Sequence, residues 1–439
     1  MKVVIIGAGF GGLKLARKLN NKAGFEVVLI DKFNYHQFQP LFYQVATAGL
    51  DASNISFPLR KVFQKSKNVR IRLAEVLAVD TEAKTVLTDA ELIGYDVLVI
   101  ATGAGTNFFG NANLEKHAFP MKSTVEALQL RYRLLQNLEE SLTITDEKEL
   151  QRRMNIVVVG AGPTGVEISG ALAETKKYVL PKEYPELNFS KARIFLLEGL
   201  DRTLANMSTK SSQKSGKYLE KLGVTVLTKT MVKDYDGQTI FLSDGTEIPT
   251  RTVIWAAGIR GNVPGGIDKD LVVRGNRIRV DRYCRVEGMT DVYAIGDIAS
   301  MVTDDYPNGH PQVAPVAMQQ AKMLAENLAH IERKSPERSL LEFEYHDKGS
   351  MATVGRNLAV VDIPKPKLHF GGLFAWMIWM GLHLMLILGV KNRFFVFVNW
   401  LYNYFTYDQN LRLIFREFDR DDNYGVAHSG IKKRTGATG

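Results

Sequence analysis

Cysteine is almost missing: Cys284 is the only one in 439 residues. No intramolecular disulfide, dithiol redox pair or cysteine-rich metal site can be built from it, and Cys284 reads as a small buried hydrophobe. Also missing is any stretch ahead of the first apolar run. The chain opens "KVVIIGAGFGG", which leaves no room for a signal or transit peptide, so the body of the protein is expected to stay where it is made. Aromatics interleaved with basic residues on one surface, the mark of a nucleic-acid reader, are not found either. No nucleic-acid partner is expected.

The chain does carry positive charge, +9 overall, with ten Lys/Arg against five Asp/Glu between Pro364 and Gly439. The aromatics of that region sit in apolar runs, so the anionic surface it favours is membrane lipid. The length suggests two or three domains.

Val3 to Ile6 is a short β-branched run, followed by glycines, a helix-capable "LKLARKLNNK" and a second apolar run, "FEVVLID": one βαβ unit. The order returns at "NIVVVGAGPTGVEISGALAE" and "ARIFLLE". "YDVLVIATGAG", "RTVIWAAGIRG" and "TDVYAIGDIA" read as further buried strands that end in tight turns. "GNVPGG" and "IPKPKLHFGG" are the candidate linkers, and Leu128 to Leu150 reads as one solvated amphipathic helix.

In G-x-G-x-x-G between strand and helix, the glycines let the backbone turn tightly and approach a pyrophosphate at the helix N-terminus. Gly7, Gly9 and Gly12 fit this pattern, with Asp31 closing the next strand where a ribose-binding carboxylate belongs. Gly160, Gly162 and Gly165 repeat it. Glu198 closes their second strand 33 residues after Gly165, because "YVLPKEYPELNFSK" intervenes. Two cradles imply two dinucleotides. A carboxylate at Glu198 hydrogen-bonds a free 2′-OH and repels a 2′-phosphate, favouring NADH over NADPH, although Arg202 is near enough to blur this. The first cradle fits FAD, with Asp297 of the "IGD" turn reaching a ribitol hydroxyl. Asp297 as an ordinary turn residue stays open.

With these residues in place, the sequence resembles the two-dinucleotide-binding-domain flavoproteins, and among them type II NADH dehydrogenase, the single-subunit, non-pumping NADH:quinone oxidoreductase. The motifs that carry the resemblance are "GAGFGG", "FQPLFYQVATAGL", "ATGAGTN", "GAGPTGVEISGALAE", "WAAGI", "VYAIGDIA", "VAMQQAKMLAENL" and "DKGSMATVGRNLAVV". The resemblance implies an α/β fold of two Rossmann-like domains in a glutathione-reductase-like arrangement, plus a C-terminal helical membrane-binding segment. The FAD domain would be 1–113 and 266–363, the NADH domain 114–265, and the membrane-anchoring and dimerisation helices 364–439.

It further implies non-covalent FAD at Gly7, Gly9, Phe10, Gly11, Gly12, Asp31 and Lys32, with Thr47, Val76, Ala101, Thr102, Gly103, Asp297 and Ala317 around it. NADH, as substrate, would meet Gly160, Gly162, Pro163, Thr164, Gly165, Val166, Glu167 and Glu198, with Ala257 and Gly258 beyond. No metal is implied. The family's quinone-side motif, Ala-Gln-x-Ala-x-Gln-Gln, reads Ala314 to Gln320 here. Ala314, Ala317, Gln319 and Gln320 match, and Pro315 stands where glutamine is usual, so any polar contact from that position is lost. Glu167, Gln319, Gln320 and Lys348 would be catalytic: Glu167 positions NADH or relays protons, and Lys348 stabilises charge on the flavin. From the residues alone, Glu167 also reads as a helix-dipole carboxylate, the two glutamines as exposed helix formers, and Lys348 as a surface lysine.

The implied reaction is FAD-dependent oxidation of NADH with two-electron reduction of a membrane quinone, without proton pumping, in a respiratory chain. Quinones with isoprenoid tails live in the bilayer, and "FGGLFAWMIWMGLHLMLILG", Phe370 to Gly389, supplies the contact. Trp376, Trp379 and Trp400 suit the headgroup region. Phe394, Val398, Leu401 and Phe405 form one apolar stripe, and Leu411, Phe415 and Phe418 another, off which Arg412, Arg416 and Arg420 lie. Such stripes favour a monotopic anchor over a span, on the cytoplasmic face of the cell inner membrane. A span, or burial of the first helix in a homodimer interface, stays open. Sulfide:quinone and disulfide reductases fail for want of paired cysteines. A reductase of a small electron-carrier protein and an NADH-sensing flavoprotein that recruits partners remain as alternatives.

Overall fold

A computed structural model describes residues 1–408 and 411–414. Phe415 and Phe418, with Arg416 and Arg420, lie outside the described residues, as does most of the second expected stripe. Lys2–Ile6 forms the centre of a five-stranded parallel sheet in the order Val292–Ala294, Val97–Ile100, Lys2–Ile6, Glu26–Asp31, Val69–Leu73. Val3, Val4 and Ile5 are fully buried, as expected of a parallel strand covered on both faces. Helices Phe10–Leu19 and Ala314–Glu332 pack together against this sheet. The pairing of Val292–Ala294 with Val97–Ile100 brings the chain back to the first sheet after it has built a second.

That second sheet is parallel and four-stranded, in the order Val224–Leu227, Ile194–Leu197, Ile156–Val159, Thr252–Trp255. Helix Pro163–Tyr178 follows its central strand. In both sheets the strands end at the glycine loops, the end where open α/β sheets bind ligands.

A third layer packs on the helices of the second sheet. Ser350–Gly355, Leu358–Ile363 and Leu368–Gly371 form an antiparallel sheet that lies on helix Pro163–Tyr178. A Cβ on Gly170 would stand 1.6 Å from the Val354 carbonyl oxygen, so only glycine permits this approach. Helices Leu373–Leu386 and Val390–Thr406 follow.

Several expectations need correction. "IPKPKLHFGG" is no linker: its two ends are paired strands, and the expected border at 363/364 falls inside their sheet. "GNVPGG" is tied down by the Gly265 to Leu77 and Val79 to Gly265 backbone hydrogen bonds. Leu128 to Leu150 is two helices, Thr124–Ser141 and Glu147–Met154, the second begun by an Asp146 cap. The apolar run gives a helix of only 14 residues, about 21 Å at 1.5 Å per residue. No helix among the described residues is long and apolar enough to cross a membrane.

Candidate active site

Helices Thr124–Ser141, Glu147–Met154 and Thr209–Leu222 each begin with a side-chain cap, from Ser123, Asp146 and Ser208. Phe10–Leu19 and Pro163–Tyr178 begin instead at Gly9 and Gly162, with no cap. Their first N–H groups are left for a ligand, and the helix dipole makes that ligand an anion.

The first cradle is built by close approach. Gly7 has φ +100°, and a Cβ there would meet the Ala101 carbonyl oxygen at 2.3 Å. A Cβ on Gly12 would stand 1.8 Å from the Gly7 oxygen, whereas one on Gly9 would meet nothing within 4 Å. Gly9 therefore faces open space while its neighbours lock the turn. Asp31 accepts the Ala8 N–H at 2.6 Å and the Phe33 N–H at 2.7 Å. Burial raises its pKa, and these two bonds pull the other way.

The second cradle repeats this pattern of close approach. Gly160 has φ +97° and would clash with Ala257 Cα at 2.6 Å, while a Cβ on Gly165 would stand 1.8 Å from the Gly160 oxygen, and Gly162 is open. Glu198 accepts the Ala161 N–H at 2.6 Å and the Leu200 N–H at 2.9 Å. The long insertion before Glu198 leaves the carboxylate in the place Asp31 holds in the first sheet. Arg202 donates to the Ala205 carbonyl at 3.2 Å rather than pairing with it. Pro163, Thr164 and Ala257 are exposed at this cradle, Val166 is buried below it, and Gly258 lies half-buried beyond.

Around the first cradle, Ala101, Thr102 and Gly103 cross over Gly7, and the buried Thr102 hydroxyl has no partner. Val76 opens a strand shortly after Ala74, which donates to the Asp31 carbonyl. Phe10 is half-buried and Lys32 exposed. Gly11 and Gly296 both face the Ala317 methyl, at 3.5 and 3.1 Å from a built Cβ. Asp297 thus sits beside the first helix, and burial raises its pKa against the pull of Lys122 and Arg277. An unpartnered hydroxyl, an open glycine and uncapped helix starts fit an extended dinucleotide such as FAD.

Glu167 lies one turn inside helix Pro163–Tyr178, buried, and accepts the Thr353 N–H at 3.4 Å. Burial raises its pKa to about 8. The Trp379 indole N–H, which closes no hydrogen bond of normal length, faces the same carboxyl and pulls it back down. Beside them opens a cavity of about 730 Å³, mouth included, walled by Tyr43, Gln44 and Thr47, by Ala171 and Glu174 of the Glu167 helix, and by Trp376, Trp379 and Trp400. Thr47 is itself buried, its hydroxyl donating to the Tyr43 carbonyl. Trp379 stacks on His383, whose pKa burial lowers to about 4.

The glutamines are elsewhere. Gln320 is 1% exposed and accepts the Gly296 N–H at 2.7 Å, so it braces the Asp297 turn and is not an exposed helix glutamine. Gln319 exchanges two hydrogen bonds, both 3.0 Å, with the His346 backbone. Ala314 is half-buried at the start of the same helix. Lys348 is exposed. Trp379 and Trp400 are buried against Tyr43 and Gln44 rather than standing at a headgroup level. Sequence reasoning assigned no role to Tyr43, Gln44 or Thr353, although they lie inside the motifs "FQPLFYQVATAGL" and "DKGSMATVGRNLAVV", because they meet only in the folded chain. No cluster of His, Cys, Asp or Glu among the described residues could hold a metal ion.

Residues 1–321 match the family model described as pyridine nucleotide-disulphide oxidoreductase, and residues 347–407 that of the NDH2 C-terminal domain. The chain is 37% identical over 419 residues to type II NADH:quinone oxidoreductase Ndh of Mycobacterium tuberculosis, covering 91% of this chain and 87% of that one. It is 28% identical over 416 residues to the type II NADH:quinone oxidoreductase of Haemophilus influenzae, covering 87% and 92%. Among solved structures, NDH2 from Plasmodium falciparum in complex with NADH shares the fold, with TM-score 0.83 and 22% identity over 92% of this chain and 98% of that one.

Proposed function

The chain belongs to the type II NADH:quinone oxidoreductases, within the pyridine nucleotide-disulphide oxidoreductase family, and on that premise we propose how its residues divide the work. It oxidises NADH and reduces a quinone without pumping protons. Its cofactor FAD, when bound, supplies hydride acceptance and two-electron donation. Gly7, Gly9 and Gly12 would hold the FAD pyrophosphate, Asp31 a ribose, and Thr102 and Asp297 the stretch between. Gly160, Gly162, Gly165 and Glu198 would hold NADH. Glu167, kept protonated near neutral pH by burial, would hold a proton between the NADH cradle and the cavity.

The cavity carries this reading. Its walls come from the Thr47 loop, from the helix that starts at the NADH cradle, and from both apolar C-terminal helices, so it opens where a lipid-borne substrate arrives. This supports a quinone seated against Tyr43 and the tryptophans, with Gln319 and Gln320 bracing the flavin side. Anaerobic mixing of detergent-purified protein with NADH, then with a short-tail quinone, tests it. Flavin bleaching by NADH that quinone does not reverse would sink the reading and favour a protein acceptor or a sensor.

The finer proposals concern location. Phe394, Phe397, Leu401 and Phe405 are 61, 47, 47 and 74% exposed on helix Val390–Thr406, which supports a monotopic seat in the lipid surface of the cell inner membrane, cytoplasmic side. Phe397→Ser with Phe405→Ser should release the protein from anionic vesicles in flotation while turnover with a soluble quinone persists. Leu373, Phe374 and Met377, also exposed, support a homodimer through helix Leu373–Leu386, which light scattering of a Phe374→Glu variant would test.

A further inference from the structure

A quinone presents two carbonyl oxygens and no donor, so its site must supply the hydrogen. In the cavity wall several donors are spent, while the Trp376 indole N–H and the Tyr404 hydroxyl, which accepts from Asn357 at 3.5 Å, have no acceptor among the described residues. The Arg356 guanidinium donates to the Asn403 and Tyr404 carbonyls, both at 2.6 Å. The Thr353 N–H goes to Glu167, and the Trp379 N–H is turned to the same carboxyl.

Tyr43 differs from the spent donors. Its phenol oxygen accepts from Gln44 Nε2 at 2.8 Å, and Gln44 Oε1 in turn accepts the Trp400 indole N–H at 2.7 Å. A hydroxyl that accepts still has its own hydrogen to give, and no group among the described residues takes it. Tyr43 is 5% exposed and lines the cavity.

We propose that Tyr43 donates a hydrogen bond to a carbonyl oxygen of the quinone in this cavity, and that Trp400, acting through Gln44, is the positioning residue that aims the phenol. This assignment rests on reading the cavity as the quinone site. The bond strengthens as charge builds on the oxygen during reduction, which is where a fixed donor accelerates a step. Burial holds the phenol well above its ordinary pKa, so it keeps its hydrogen at working pH. Trp400 belongs to the helix that also exposes Phe394, Phe397 and Phe405. The seating of that helix therefore sets the direction of a hydroxyl two hydrogen bonds away.

The test uses full-length holoenzyme and three variants, Tyr43→Phe, Trp400→Phe and Ala171→Phe. Stopped-flow absorbance follows flavin bleaching by NADH, then reoxidation by a short-tail ubiquinone or, in parallel, by ferricyanide, which needs no hydrogen bond. Quenching of tryptophan fluorescence reports quinone occupancy separately, since three tryptophans line the cavity. Tyr43→Phe should slow the quinone step roughly tenfold to a hundredfold, in the range of one lost transition-state donor, with the ferricyanide step and quenching unchanged. Trp400→Phe keeps the ring and loses the N–H, so it should slow the quinone step less. Combined with Tyr43→Phe it should add almost nothing, because the two act through one bond. An unchanged quinone step in Tyr43→Phe overturns the donor, and full additivity in the double variant overturns the positioning role. Ala171→Phe fills the cavity. If it alters neither quenching nor reoxidation, the reading of the cavity itself has failed, an outcome separate from failure of the donor.

Discussion

Asp31 and Glu198 hold the same post in two different sheets: each carboxylate accepts, at 2.6 Å, the N–H of the alanine that follows the first glycine of its loop. Each is thereby fixed at the lip of its cradle with hydroxyl-binding capacity to spare, since a carboxylate has about four acceptor sites.

Glu198→Arg removes the acceptor for the ribose 2′-OH and brings a cation to the same lip. Hydrogen bonds to a charged group contribute about 1.5–3 kcal/mol, so KM for NADH should rise on the order of tenfold to a hundredfold while that for NADPH falls. Steady-state kinetics with both nucleotides check it, and an unchanged ratio removes Glu198 from the ribose site.

Glu167 should make stability depend on pH. Burial lifts it from 4.5 to about 8, so between those values the folded protein keeps a proton that the unfolded chain releases. Its contribution is complete below the lower value and is lost as pH rises through the upper one. Glu167→Gln cannot ionise and should hold on to that stability, opening a gap on the order of a few kcal/mol above about pH 8. Urea midpoints for both proteins that stay parallel from about pH 5 to about pH 9 would contradict this.

Asp362 stitches the start of helix Thr209–Leu222 to the third sheet. It accepts the Ser208 N–H at 2.7 Å and the Ser211 hydroxyl at 2.7 Å, with His369 Nδ1 at 3.0 Å. Burial pushes its carboxyl up, but these bonds more than reverse that and leave its pKa below the usual value. The stability it gives is present above the unfolded pKa and lost as pH falls through the folded one. Asp362→Asn should cost about 1–3 kcal/mol at neutral pH, read as a lower urea midpoint that converges with the parent in acid.

Gly170→Ala should separate helix Pro163–Tyr178 from strand Ser350–Gly355, because the new methyl has only the Val354 carbonyl to move against. Overpacking of this kind typically costs about 1–3 kcal/mol. The parted strand should also admit water to Glu167 and bring its pKa down. A melting temperature equal to the parent's would show that the strand yields freely.

Both glycine loops were legible because their chemistry is local: turn, close approach and helix start lie within six residues. Glu198 was legible despite its distance, because a strand end is recognisable wherever an insertion puts it. The burial of Gln320 was not legible because its partner, Gly296, lies 24 residues away and helix periodicity does not report which face meets it. Trp379 and Trp400 were assigned to headgroups from composition, yet their places are decided by Tyr43 and Gln44, more than 300 residues earlier in the chain. The cavity draws on five separate segments, and no spacing rule joins them.

One helix begins at the glycine cradle, with Gly165 in its first turn, and about two turns on supplies Ala171 and Glu174 to the cavity wall. On the proposed assignment, donor and acceptor sites are therefore in fixed phase, like two marks on one shaft. Adding a single residue between Gly165 and Ala171 would turn the far mark by about 100°. Each site would keep its residues, and they would no longer face the same gap.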